Sequence, residues 1–293
     1  MKTMPKLNDI KVRCLQKAIK VRCLQQKVML FIKKEPSPHT IKKPSPHIKK
    51  PSPQPKQDQK EFILTTDKGA GLFSSFLRVI GALNQNHRIS VIFGDQCLYY
   101  DKLYGHNVWE YYFEKINNSK NGKHTTGREF IGHAVGKCGL INQQQRNQNY
   151  LTINKFIKLK SPIISHLNIY DYGIHFRSTD KHKEATNIDV NSFIQLLKQI
   201  ELNGNVFLAT DSQFAFNTIL KYLKSKSNIN VFFQNIERSE KPIHFTRGSY
   251  KAGQEALFDM ISISKSNKII HNKSHMSAAA LSFNPNAVAI YFN

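Results

Sequence analysis

From residue 61 onward, apolar side chains switch between a strand-like and a helix-like spacing. Phe62-Ile63-Leu64 is a short apolar run, and Phe73, Phe76, Leu77 and Ile80 then follow at i, i+3, i+4 and i+7, so a strand leads into a helix. Ile89 to Phe93 reads as a second strand, and Trp109, Tyr112, Phe113 and Ile116 carry helical spacing. Residues 117–127 and 142–149 are polar and without period; the second is rich in Gln and Asn and reads as the approach to an interdomain hinge. From Ile163 the alternation becomes regular. A strand near 170–177 precedes a helix marked by Phe193, Leu196, Leu197 and Ile200. Val206 to Ala209 precedes one marked by Phe216, Ile219, Leu220 and Leu223. Ile229 to Phe233 is a strand, Leu257, Met260, Ile261 and Ser264 trace a helical face, and Lys268 to His271 leads into a helix with Met276, Ala279, Ala280 and Phe283. Ala287 to Phe292 closes the series as a strand. Such alternation predicts an α/β fold of parallel β-α units, with ligands at the carboxyl ends of the strands.

The first 60 residues follow another pattern. KVRCLQ occurs at 11–16 and again at 20–25, and residues 33–55 repeat a Lys/Pro/Ser unit. Proline at that density blocks helix and sheet pairing, so residues 1–60 read as a disordered Lys/Pro-rich repeat tail. This tail changes the meaning of the net charge of +23: residues 1–60 hold 16 Lys/Arg against 3 acids, and residues 61–293 hold 27 against 17. Over half of the excess therefore sits in the tail. It reads either as a basic arm that touches nucleic acid, an acidic membrane surface or a partner, or as a solvated linker. The tail lacks the interleaved aromatics that base stacking needs.

The four cysteines, Cys14, Cys23, Cys97 and Cys138, form no CxxC pair, which argues against a disulfide framework or a zinc site. No stretch reaches the roughly 18–20 apolar residues of a membrane span, so the expectation is a soluble, cytoplasmic protein.

Three strand ends in the second half carry polar groups on one edge of the expected sheet. His175 and Arg177 stand two apart, so in a strand they project together while Ile174 and Phe176 face the opposite layer. Thr210-Asp211-Ser212 follows the strand Val206 to Ala209. Ser274-His275-Met276-Ser277 opens an Ala-rich helix, whose first amides and dipole favour an anion. Arginine offers a rigid donor fork suited to phosphate, and Asp211 can accept from a ribose or a base edge. Together these groups describe a site for a nucleoside diphosphate. Each also has a plainer reading: His175 as a core histidine, Arg177 as an ion-pair partner, and Asp211, Ser212 and Ser274 as helix caps. Gly69-Ala70-Gly71 after the first strand is either a tight turn or a phosphate-facing loop, and it matches neither the dinucleotide fingerprint nor a P-loop. Residues 109–113, WEYYF, read as core rather than as a sugar platform. His271 and His275 straddle a strand-helix boundary without HExxH, so no metal site is expected.

His175-Phe176-Arg177-Ser178-Thr179-Asp180 resembles the HxR motif of the α1,6-, α1,2- and protein O-fucosyltransferase superfamily, which includes the nodulation fucosyltransferases. Phe207 to Asp211 resembles its second motif, and Ile270 to Ser277 running on to Pro285 its third. Gly69 to Phe76 and Asn107 to Glu114 resemble the N-terminal half of related glycosyltransferases. The likeness spans roughly residues 62–293, with Ser178 where members often carry a second basic residue. It implies a GT-B-like fold: two Rossmann-like domains facing each other across a cleft, here an acceptor-side domain at 61–160 and a nucleotide-sugar-binding domain at 161–293. It implies a GDP-fucose or other GDP-sugar donor as substrate, a glycan or protein acceptor, and no cofactor or required metal. By position, Arg177 would bind the β-phosphate and act on the leaving diphosphate. His175 and Asp211 would contact the guanosine, and Ser274 and Ser277 would hold phosphate, with Gly69 and Gly71 facing the donor across the cleft. The likeness transfers no acidic general base; Asp67, Glu110 and Glu114 are candidates on the acceptor side. The alternative is a catalytically degenerate GT-B-like module whose basic tail binds nucleic acid or a partner.

Overall fold

The computed structural model describes residues 59–136, 139–160, 168–178, 189–240 and 249–292. Nearly all of the expected tail, together with Cys138, Thr179 and Asp180, lies outside them.

The described residues form two parallel sheets. The first has three strands in the order β2-β1-β3, from β1 (Glu61–Leu64), β2 (Arg88–Val91) and β3 (Lys123–Thr125). The second has five, in the order β6-β5-β4-β7-β8: β4 (Tyr170–Phe176), β5 (Gly204–Thr210), β6 (Ile229–Phe232), β7 (Ser266–His271) and β8 (Val288–Tyr291). The central strand β4 is buried along nearly its whole length, as a strand covered on both faces must be. Its register aligns His175 with Ala209 on one side and His271 on the other.

The helices follow the apolar spacing. They are α1 (Leu72–Asn84), α2 (Gln143–Phe156), α3 (Val190–Gln199), α4 (Gln213–Lys224), α5 (Tyr250–Ser264) and α6 (His275–Phe283). Helix α3 starts at Asp189 and α4 at Ser212, each side chain accepting from a first-turn amide.

Two stretches depart from the pattern. Trp109 to Ile116 forms only one helical turn, Trp109–Tyr112, because Phe113 is extended and bridges Leu159. Its ring stacks on Trp109 at 4.4 Å, so tertiary packing takes these aromatics out of the helix. Residues 142–149 are not irregular but open α2. A capping box between Asn142 and Gln145 opens this helix, and amides rather than an apolar stripe anchor it. Asn149 Nδ2 donates to Ala134 O at 2.8 Å and to Ser282 Oγ at 2.9 Å.

The two sheets share a core. One buried apolar cluster takes in Leu64, Phe76 and Trp109 from the first half and Leu257, Met260 and Leu281 from the second. Phe76 stacks on Phe283 at 5.9 Å, and Tyr104 stacks on Tyr250 at 3.8 Å. A second cluster, including Ile174, Phe176, Phe193 and Ile219, fills the opposite face of the larger sheet. Among the described residues, no helix is long and apolar enough to cross a membrane.

Candidate functional site

A cavity of about 310 Å³ opens where the carboxyl ends of β4 and β5 and the residues after β7 meet the loop after β1. Strand alternation sends Ile174 and Phe176 into the second cluster and leaves His175 and Arg177 on the cavity side. Gly69, Gly71, His175, Arg177, Asp211 and Ser274 all line it. Six residues picked from four separate chain segments are thus brought to one wall.

Backbone contacts hold this wall in place. Asn272, fully buried, accepts from the Arg177 amide at 3.0 Å and donates to the Arg177 carbonyl at 2.6 Å, so β4 is clamped where its side chain leaves the sheet. Asp211 Oδ1 accepts from the Ser178 amide at 3.1 Å, which ties the ends of β4 and β5 together. Ser212, not Asp211, is the cap of α4.

Ser274 is the cap of α6, its hydroxyl accepting from the Met276 amide at 3.2 Å, and the residue also lines the cavity. Ser277 is different. It is fully buried behind the wall, and its hydroxyl shares a 2.7 Å hydrogen bond with His175 Nδ1. That bond orients the imidazole and directs its other nitrogen, and Ser277 does not line the cavity.

The glycine loop arrives from the first sheet. Gly69 has φ +85°, a left-handed conformation that favours glycine. Gly71 precedes α1 with no side-chain cap, and Gly71 to Ser74 line the cavity, so the first amides of α1 face it. Two helix starts, those of α1 and α6, therefore converge with Arg177 on one volume, and each favours negative charge there.

Of the three acceptor-side candidates, none lines the cavity. Asp67 accepts from Arg78 and Arg128, both at 2.6 Å. Burial alone would raise its pKa, but the two arginines outweigh that and hold the carboxyl below its usual range. It is thereby committed to positioning the loop that leads to Gly69. Glu110 accepts from Asn107 Nδ2 at 2.8 Å. The acids on the wall are Asp211, Glu255 and Asp259, and the last two lie one turn apart on α5. The apolar period of α5 gave no sign of them, since both interrupt a face defined by Leu257, Met260 and Ile261.

His271 is a core histidine, its Nδ1–H directed at Asn272 O at 3.1 Å. Burial pushes its pKa down to about 4. Among the described residues, no three His, Cys, Asp or Glu side chains cluster in a way that would hold a metal ion.

No protein-family model and no curated protein matches the chain. Among solved structures it is similar to the NodZ alpha-1,6-fucosyltransferase soaked with GDP-fucose, at 15% identity and a TM-score of 0.46, over 80% of this chain and 95% of that one. It is similar to fucosyltransferase NodZ from Bradyrhizobium at 14% identity and a TM-score of 0.42, over 76% of this chain and 92% of that one. For POFUT1 in complex with GDP the values are 10% identity, 0.37, 81% and 100%. This chain's own strands give the GT-B-like α/β arrangement, two parallel sheets that meet at a cleft.

Proposed function

We propose that the chain is a glycosyltransferase that binds a GDP-sugar, GDP-fucose first among them, and passes the sugar to a hydroxyl of a glycan or protein. One observation carries this reading: Arg177, Ser274 and the starts of α1 and α6 converge on the cavity that the ends of β4 and β5 also line. In the reaction, an acceptor oxygen bonds to the anomeric carbon, the bond from that carbon to the β-phosphate oxygen breaks, and the acceptor gives up its proton. Negative charge then grows on the departing GDP. Fixed donors already aimed at that position stabilise it without reorganising. In this reading Arg177 holds the β-phosphate, and the amides of α1 and α6 share the charge that a bound metal supplies in other transferases, so no metal is required. His175, oriented by Ser277, and Asp211 contact the nucleoside.

GDP is expected to raise the melting temperature of the full chain, and Arg177→Ala to abolish that rise. If GDP, UDP and ADP all leave the melting curve where it was, the donor-site reading is wrong. Release of fucose from GDP-fucose, with and without chelator, checks the metal-independent chemistry.

A further inference from the structure

Stacked tyrosine rings lead from the core to the surface beside the cavity. Tyr112 is fully buried, and the Tyr250 ring lies nearly parallel to it, with centroids 5.7 Å apart and planes 13° apart. Tyr104 in turn lies over Tyr250 at 3.8 Å and 8°. Tyr250 covers one face of Tyr104, yet Tyr104 is 54% exposed, so its other face is open to solvent. Leu103, next to it on the 3-10 turn Lys102–Tyr104, is 91% exposed. That turn is firmly built. The Asp101 carboxylate accepts from the Leu103 amide at 3.1 Å and caps it. The Tyr111 hydroxyl accepts from the Asp101 amide at 3.2 Å and lies 2.8 Å from the carbonyl oxygens of both Asp101 and Gly105, which joins the two ends of the turn. An apolar pair held rigid in water has given up its freedom before anything binds, as a preorganised binding surface does.

This surface is continuous with the cavity. Tyr99 lines the cavity, and α5, which begins at Tyr250, supplies Ala252 and Glu255 to the same wall. At a rise of about 1.5 Å per residue, Ala252 stands only about 3 Å along the helix from Tyr250. An added Cβ at Gly253 would fall 2.1 Å from the Tyr112 hydroxyl oxygen and 3.1 Å from Tyr99 Cδ1, so the cavity wall and the ring stack pack on one turn of α5.

We infer that Tyr104 and Leu103 form a subsite for a sugar unit of the acceptor, stacked flat on the open face of Tyr104 while the end of the same glycan lies in the cavity. An aromatic face is the negative side of the ring quadrupole, and the C–H groups on one face of a pyranose are flat, apolar and weakly positive. The size of the patch favours a sugar over a protein surface. Exposed Lys102 and His106 flank the pair along the chain, and its area falls far short of the ~800 Å² per partner that a stable protein interface buries. The inference rests on the transferase reading above and narrows its acceptor from glycan or protein to a glycan.

The test is an array of linear neutral oligosaccharides, from monomer to hexamer, printed beside apolar peptides. The full chain, Tyr104→Ala and Tyr104→Trp are applied, and the rise in melting temperature with GDP is recorded for each. The unsubstituted chain is expected to hold at least one oligosaccharide more tightly than its monomer. Tyr104→Ala should weaken that binding roughly tenfold, the scale of one aromatic contact, and Tyr104→Trp should retain it. An unchanged GDP response in both variants shows that fold and donor site are intact. Oligosaccharide binding that Tyr104→Ala leaves unaltered overturns the inference. So does a chain that responds to GDP yet holds no oligosaccharide, or that holds peptides through Tyr104 instead. Should Tyr104→Ala lose the GDP response as well, Leu103→Ala decides, and full oligosaccharide binding by that variant overturns the subsite. A chain that holds oligosaccharide through Tyr104 while GDP, UDP and ADP leave its melting curve unmoved overturns the donor reading and keeps the sugar subsite.

Discussion

Asp259 and His271 are both buried ionisable groups, and burial moves them in ways that oppose each other. Burial, with the like charge of Glu255, raises the Asp259 pKa to about 7 against the pull of Arg238 and Gln234. The folded chain therefore keeps a proton that the unfolded chain loses near the ordinary carboxylate value of 3.8. Its contribution to stability is full below that pH and is lost as pH rises to about 7. His271, depressed to about 4 from 6.5, contributes stability that is present above 6.5 and lost as pH falls toward 4. In the window between, the two offset each other, so only a variant separates them. Subtracting melting temperatures at matched pH should show unliganded Asp259→Asn gaining on the unsubstituted protein between pH 5 and pH 8. A difference that stays flat over that range would contradict the raised carboxyl. Ser277→Ala removes the hydroxyl from His175 Nδ1. The expected cost is about 1 kcal/mol of stability for one buried hydrogen bond, together with several-fold weaker GDP binding in calorimetry. Affinity that does not change would separate His175 from the nucleotide.

At the scale of elements, the predicted strands and helices of the second half match the structure closely, because each combines a strong period with turn or capping residues. The first half is less legible. Its 109–116 pattern forms a single turn because ring stacking among Phe76, Trp109 and Phe113 competes with helix continuation. Helix α2 has almost no apolar stripe to detect, and it is stabilised by amides reaching Ala134 and Ser282, partners that no local pattern reveals. Close packing also appears at Gly81 of α1, where an added Cβ would fall 2.0 Å from the Phe130 carbonyl oxygen. Gly81→Ala should therefore destabilise by roughly 1–3 kcal/mol through displacement of the Arg128–His133 turn, although alanine is the better helix former. Chemical denaturation measures this, and a stabilised variant would show that the turn moves aside freely.

The two sheets are tied together by α1, α2 and α6 and by the tyrosines that reach α5. Tyr112 Oη donates to Tyr250 O at 2.9 Å, Gln143 Nε2 to Pro285 O at 2.9 Å, and Arg146 NH1 to Ala287 O at 3.2 Å. With the core shared across both sheets, residues 61–160 and 161–293 should unfold as one cooperative unit. The single tryptophan, Trp109, is buried in the first half. Its fluorescence and the far-ultraviolet circular dichroism of the whole chain should therefore report the same denaturation midpoint. Two separated midpoints would mean independent domains.

Local chemistry in the chain was enough to set the α/β alternation, the facing of His175 and Arg177, and the polar strand ends, because strand and helix periods act over a few residues. It left the choice between cap and ligand open; the fold makes Ser274 the cap of α6 and sets it on the cavity wall. Three-dimensional closure decided the rest. It brought Gly69 and Gly71 to the same cavity as Arg177, moved Ser277 behind the wall as the partner of His175, and locked Asp67 between two arginines. It also placed Asp259 beside Gln234, 25 positions earlier in the chain. Whether a carboxylate in a helix is solvated, ion-paired or left facing a cavity depends on what packs across from it, and no spacing along the chain encodes that.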